Sequence, residues 1–215
     1  MMNAIGRKGW ARQGMKIFWG EIAPTEHILQ IYEDDKIFID VLEQFVSSGL
    51  NVGDSVVVIA TTEHLKALNQ RLKTAGLDLF SLTLQDQYIP LNAEEMLSHF
   101  MINGWPDENL FYHLLTNLLL RARKRDRQVR AFGEMVAILW GQGHSGATVH
   151  LEYLWSRYCQ TEEFSVFCAY PKSGFTENAN ESLLEICSCH SKFVSGPNDD
   201  SEGILYREGS QKVAG

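Results

Sequence analysis

Residues 27–61, HILQIYEDDKIFIDVLEQFVSSGLNVGDSVVVIAT, decide the fold. Between His27 and Tyr32 an apolar run reads as a strand. Ile37, Phe38, Val41, Leu42, Phe45 and Val46 then recur at helical spacing over residues 36–48, with Gly49 placed to end the helix in a left-handed conformation. After the NVGD turn, SVVVIA is a continuous β-branched run, the pattern of a central strand covered on both faces. Strand, helix and parallel strand is the opening of many nucleotide-binding domains. The turn that would cradle phosphate is nevertheless wrong for it. It reads YEDDKIF, three carboxylates where glycines followed by Lys-Ser or Lys-Thr would let backbone N–H groups curl round a phosphate.

The alternation continues outward from this stretch. Thr61 or Thr62 can cap a helix carrying Leu65, Leu68 and Leu72, and FSLTL (80–84) is expected to be the next strand. Asn92 and Glu95 form a capping-box pattern, and Asp107 is placed to cap a longer helix. QVRAFGEM and FSVFCAYP read as strands, separated by a glycine-rich connection and then a helix carrying Val149, Leu151, Leu154 and Trp155, and NANESLLEICSCHS reads as a last helix. The expected architecture is α/β in three layers, a mostly parallel central sheet with helices on both faces. One domain over residues 21–194 is expected, after an N-terminal extension (1–20) and before a mobile tail (195–215).

Bulk properties narrow the function classes. The chain has 215 residues, 45% hydrophobic and 21% charged, with no apolar run of the length a bilayer requires and no secretory signal at its start. A cytoplasmic protein is expected, with no membrane partner. A net charge of −8 argues against direct nucleic-acid binding. The basic run RARKRDRQVR (121–130) is read as a helix end whose cations face the helix dipole. The four cysteines do not form CxxC pairs, so neither a disulfide framework nor a structural metal site is expected, although Cys187, Cys189 and His190 could in principle ligate. No cofactor is expected.

In such a sheet ligands bind just beyond the carboxyl ends of the strands. Tyr32, Glu33, Asp34 and Asp35 follow the first strand; Thr61, Thr62, Glu63 and His64 the second; Glu134 and Tyr170 follow later ones. Acids at a helix start also have a plain role facing the helix dipole. Glu134 directly follows a buried strand, and such a carboxylate must be hydrogen-bonded, paired or functional; Arg130 or a neighbouring backbone N–H could satisfy it. Tyr32, Trp140, Trp155 and Tyr170 could line a pocket if they converge. GxSxG, HExxH and a Walker loop are all absent from the sequence, so no catalytic residue is named.

HILQIYED, FVSSGLNVGDSVVVIAT, RAFGEM, LEYLWSRY, FCAYP and ICSCHS, in that order, resemble the MEDS family of sensory domains over about His27 to Val194. The resemblance implies a relative of RecA-like ATPases of the circadian-clock type that has lost its phosphate loop and senses small molecules, hydrocarbon-derived ones included. It places family positions on His27, Tyr32, Gly133, Glu134, Met135, Glu152, Trp155, Ala169, Tyr170, Pro171, His190 and Ser191. Residue reading and resemblance together give His27, Tyr32, Glu33, Thr61, Glu134, Trp155, Tyr170 and His190 as candidate ligand-binding residues. The expected function is a non-catalytic sensory domain. With neither a helix-turn-helix nor a kinase module read in the sequence, it would act through a separate signalling or DNA-binding protein, and a homo-oligomer remains compatible. The alternatives are a nucleotide-binding RecA-like ATPase with a degenerate loop, in which Lys36 and a metal on Glu33, Asp35 or Glu134 compensate, and a purely structural adaptor.

Overall fold

The computed structural model describes residues 10–13, 19, 22–175, 180–195 and 203–207. The chain runs β1 (Trp10–Gln13), β2 (His27–Tyr32), α1 (Asp35–Val52), β3 (Ser55–Ala60), α2 (Thr62–Thr74), α3 (Leu79–Leu84), β4 (Tyr88–Asn92) and α4 (Ala93–Ser98). A short hairpin, β5 (Met101–Ile102) and β6 (Trp105–Pro106), leads to α5 (Glu108–Ala122). Then come β7 (Val129–Gly133), α6 (Met135–Gly141), α7 (Ser145–Glu162), β8 (Ser165–Pro171), α8 (Asn180–Cys189), β9 (Lys192–Ser195) and β10 (Gly203–Arg207).

Eight strands form one sheet in the order β1-β10-β9-β2-β8-β7-β3-β4. The six from β9 to β4 are parallel, and β10 and β1 add an antiparallel edge. Alternate residues of each central strand feed opposite cores, as the period of a strand requires. Leu29, Val57, Ala131 and Cys168 face the layer of α5, α6, α7 and α8. Ile28, Val56, Val58, Phe132 and Phe167 face α1 and α2. SVVVIA is buried at every position, as expected for a strand packed on both faces.

The helix starts follow the caps read from sequence. Thr61 accepts from the His64 N–H, Asn92 from Glu95 and Asp107 from Leu110. Two expectations are corrected and one helix is added. FSLTL is helix α3, because Asp78 caps Ser81 and because Phe80 and Leu84, 79% and 76% exposed, have no second layer to make them a buried strand. The strand lies further on, at Tyr88–Asn92 beside β3. Helix α1 does not end at Gly49 but runs to Val52, with Gly53 at φ 94° closing it. Gly49 instead permits close packing, since a Cβ there would lie 2.9 Å from Val56 and 3.0 Å from Arg130. The helix expected after the glycine-rich connection is α7, and the residues before that connection add a further helix, α6, with Gly143 at φ 81° between the two.

The basic run after α5 is tied down by partners. Arg121 and Lys124 pair with Asp86, Arg123 with Glu162, and Arg130 with Asp54. Within the stretch expected to be a tail, Gly203–Arg207 pairs as a strand with β9 and β1; its other residues beyond Ser195, and most of 1–20, lie outside the described residues. No helix among the described residues is long and apolar enough to cross a membrane.

Candidate functional site

At the carboxyl ends of the strands, the turn from β2 into α1 carries Glu33, Asp34 and Asp35. Asp34 is the N-cap of α1, and its Oδ1 accepts from the N–H groups of Lys36 (2.7 Å) and Ile37 (3.3 Å). These are the free amides at a helix start that an anion would otherwise take. Glu33 reaches across to Lys172, just beyond β8.

The adjacency of β3 and β7 brings Thr61 and His64 to Glu134. The Glu134 carboxylate accepts from the Thr61 N–H at 2.9 Å through Oε2 and meets His64 Nδ1 at 2.7 Å through Oε1. Glu134 thus has the backbone partner expected of it, whereas Arg130 lies at the other end of the strand on Asp54. The hydrogen bond to Glu134 raises the His64 pKa above its ordinary value, against burial, which lowers it. Tyr32 is buried with its ring stacked on Phe38 at 4.6 Å, and Phe38 meets the His64 ring edge-on at 5.0 Å. Burial, with Glu134 and Asp35 nearby, pushes the Tyr32 phenol well up, so it stays protonated. Tyr32, Thr61, His64 and Glu134 therefore form one polar group over an aromatic floor, with Glu33 at the rim.

His27, Tyr170 and His190 lie elsewhere. They meet between the sheet and helices α7 and α8, around a carboxylate that the sequence reading left without a role, Glu152. This residue falls within the buried stripe of α7 that includes Thr148, Leu151, Trp155 and Cys159, and it is itself fully buried. His27 Nε2 lies 3.3 Å and His190 Nε2 3.5 Å from Glu152 Oε2. The Cys168 thiol is 3.5 Å from the same oxygen and 3.4 Å from His27 Nε2. The Tyr170 hydroxyl donates to the other oxygen, Oε1. The two imidazoles lie against each other at an angle of 31°, 3.9 Å between centroids. Burial, helped by His27, pushes the His190 pKa down to about 3, so its ring is neutral at pH 7. Burial and Glu152 push the Tyr170 phenol up, which keeps it a donor. Ser191 holds this corner to β2 by donating its N–H to the His27 carbonyl at 2.8 Å and its hydroxyl to Glu26 at 2.6 Å. His27, Glu152, Cys168 and His190 are the one set of three or more metal-ligating side chains found together among the described residues.

Trp155 joins neither group. Its ring packs edge-on against Phe111 at 5.2 Å in the core. The four aromatics do not converge on one crevice. Trp140 touches Tyr170 (6.4 Å) and donates to the Gly174 carbonyl (2.7 Å), whereas Tyr32 is on the other side of the sheet. A cleft of about 240 Å³ lies at the opposite end of the strands, beside Asp54, Arg130 and Ser165. The sequence places His64 beyond the second strand and Glu152 among the family positions, but neither they nor Cys168 stand among the eight candidate ligand-binding residues. His64 had a signal, three residues after a capping threonine. Glu152 had one too, a carboxylate on an otherwise apolar helix stripe.

The comparisons with known proteins agree with this architecture. The sequence model described as MEDS, the methanogen/methylotroph, DcmR sensory domain, matches residues 26–191. No curated protein matches the chain. Among solved structures, the flagellar accessory protein FlaH from Methanocaldococcus jannaschii superposes with a TM-score of 0.53 at 10% identity, covering 80% of this chain and 71% of that one. That likeness shows the fold, which is RecA-like. With the family match spanning the sheet from the start of β2 to the end of α8, this chain belongs to the methanogen/methylotroph, DcmR sensory domain (MEDS) family.

Proposed function

We propose that the domain is a non-catalytic receptor for a small molecule, bound at the carboxyl ends of the strands by Tyr32, Thr61, His64 and Glu134, and that it acts on a separate signalling or DNA-binding protein. The observation that carries this reading is the turn into α1. On a RecA-like fold this is where polyphosphate would sit, and Asp34 already occupies the Lys36 and Ile37 amides while Glu33 and Asp35 add negative charge beside it. What is left beyond the strands is a histidine, a carboxylate and a phenol over Phe38. That combination suits a compact molecule with one polar group and an apolar remainder. The Tyr32 ring covers Phe38, so binding requires Tyr32 to move off it. The ligand then selects the conformation in which the β2–α1 turn is displaced, and that displacement is the signal offered to the partner.

The test is amide NMR on ¹⁵N-labelled protein titrated with one-carbon probes (methanol, methylamine and dichloromethane) and, separately, with ATP and Mg²⁺. The reading expects saturable shifts at Tyr32–Ile37, Thr61 and His64 with at least one of the small probes, lost in Glu134→Gln. Silence at those amides with all three, together with ATP-dependent shifts there, would replace receptor by nucleotide-binding domain.

A further inference from the structure

In the buried group around Glu152 the two histidine–carboxylate contacts are longer than charged hydrogen bonds. A charged hydrogen bond between nitrogen and a carboxylate oxygen is about 2.7–2.9 Å long, which is what His64 and Glu134 make at 2.7 Å. The contacts at Glu152 Oε2 are 3.3, 3.5 and 3.5 Å, and His27 Nε2 to Cys168 Sγ is 3.4 Å. These four distances match four of the six edges of a coordination tetrahedron. Ligand bonds of about 2.0–2.3 Å at tetrahedral angles put neighbouring donor atoms about 3.3–3.8 Å apart. One donor atom from each of His27, Glu152, Cys168 and His190 lies within 4.8 Å of the other three.

The histidine tautomers point the same way. His27 Nδ1 lies 3.0 Å from the Cys189 carbonyl and His190 Nδ1 2.6 Å from the Ile186 carbonyl. A carbonyl only accepts, so each Nδ1 carries the proton, and in the neutral ring each Nε2 presents a lone pair. The His27 lone pair lies against the Cys168 thiol as well as Glu152 Oε2, whereas His190 Nε2 faces the carboxylate oxygen, itself an acceptor, and is buried without a hydrogen-bond partner. Histidines whose outer nitrogen is fixed on a backbone carbonyl while the inner one faces a shared centre are the usual arrangement of metal ligands. Tyr170, donating to Glu152 Oε1, turns Oε2 toward that centre.

We propose that His27 Nε2, His190 Nε2, Glu152 Oε2 and Cys168 Sγ bind one divalent transition-metal ion, with Zn²⁺ the best match to this nitrogen, oxygen and sulfur set. On binding, the Cys168 S–H proton leaves to solvent and the thiolate coordinates; no oxidation is involved. One thiolate and one carboxylate then balance the dication, so the sealed interior holds no net charge. Four protein ligands close the shell, which makes the ion a clasp joining β2, β8, α7 and the end of α8. This inference stands apart from the receptor reading and does not depend on it.

The test uses the untagged full chain, purified without chelator from zinc-supplemented cells. About one equivalent of metal per chain is expected. After stripping, Co²⁺ should restore the ion with a thiolate-to-cobalt charge-transfer band and tetrahedral d–d bands. Cys168→Ser should abolish the charge-transfer band, whereas Cys187→Ser with Cys189→Ser should keep it. If Cys168→Ser fails to fold, Tyr170→Phe gives the answer. It keeps the ring and all four ligands, and should weaken metal binding by about 10–100-fold as an orienting group does. Purified protein without stoichiometric metal, together with no tetrahedral cobalt spectrum after stripping and refilling, would overturn the proposal. So would a bound ion whose affinity is the same in wild type and Tyr170→Phe and whose charge-transfer band depends on Cys187 and Cys189.

Discussion

Two histidine–carboxylate groups, built on opposite faces of one sheet, behave differently. At the strand ends, His64 keeps 19% of its side chain exposed and meets Glu134 at hydrogen-bond distance, so its proton is favoured and its surroundings can rearrange. In the interior, His27, His190 and Glu152 are 2% exposed or less, their closest approaches are longer, and the His190 ring is held neutral. The residue types are alike. Burial and the direction of each ring's outer nitrogen decide which group can respond to solvent and which can only hold the fold together.

The difference is largest when the carboxylate is removed from the sealed group. Glu152→Ala removes the buried carboxylate that both imidazoles surround and leaves the Cys168 thiol and the Tyr170 hydroxyl without their acceptor, and should lower stability by about 3–5 kcal/mol in urea unfolding. A loss below about 1 kcal/mol, the scale of an exposed pair, would mean that water reaches Glu152 and that the two groups are not distinct. The strand-end turn should respond less. Asp34→Ala removes an exposed helix cap, at a cost of about 1 kcal/mol in the same measurement. It should leave the metal content of the protein unchanged.

The smallest effect is a pH dependence at the strand ends. The folded-state pKa of His64 is raised above 6.5, so its contribution is complete below pH 6.5 and is lost as pH rises through the raised value. The thermal midpoint of wild type minus that of Glu134→Gln should therefore fall as pH is taken upward from 6.5. A difference that stays flat, or grows, would show that His64 and Glu134 are not paired in solution.

The first half of the sheet was readable because its signals are local: a β-branched run, a helical apolar period, and caps three residues from the amides they hold. FSLTL misleads because alternating Phe80, Leu82 and Leu84 imitate a strand. Only the position of Leu79 and Leu82 against the α1–α2 layer, with Phe80 and Leu84 turned to solvent, makes it a helix. At the site, Glu134 could be flagged from its place after a strand, but its partner His64 is seventy residues away and depends on β3 lying beside β7. The interior group is less legible still. Its members come from positions 27, 152, 168, 170 and 190, and what unites them is that β2 inserts between β8 and β9. The family resemblance supplied His27, Glu152, Tyr170 and His190 as positions, without saying that they share a centre apart from Tyr32 and Glu134.

The most direct test of the claim that the strand ends form a receptor mouth and not a phosphate cradle is calorimetry of the full chain with ATP and Mg²⁺. With the Lys36 and Ile37 amides held by Asp34, titration into the millimolar range should give no saturable heat, and phosphate release should not exceed that of buffer. Micromolar binding with measurable hydrolysis would contradict the account.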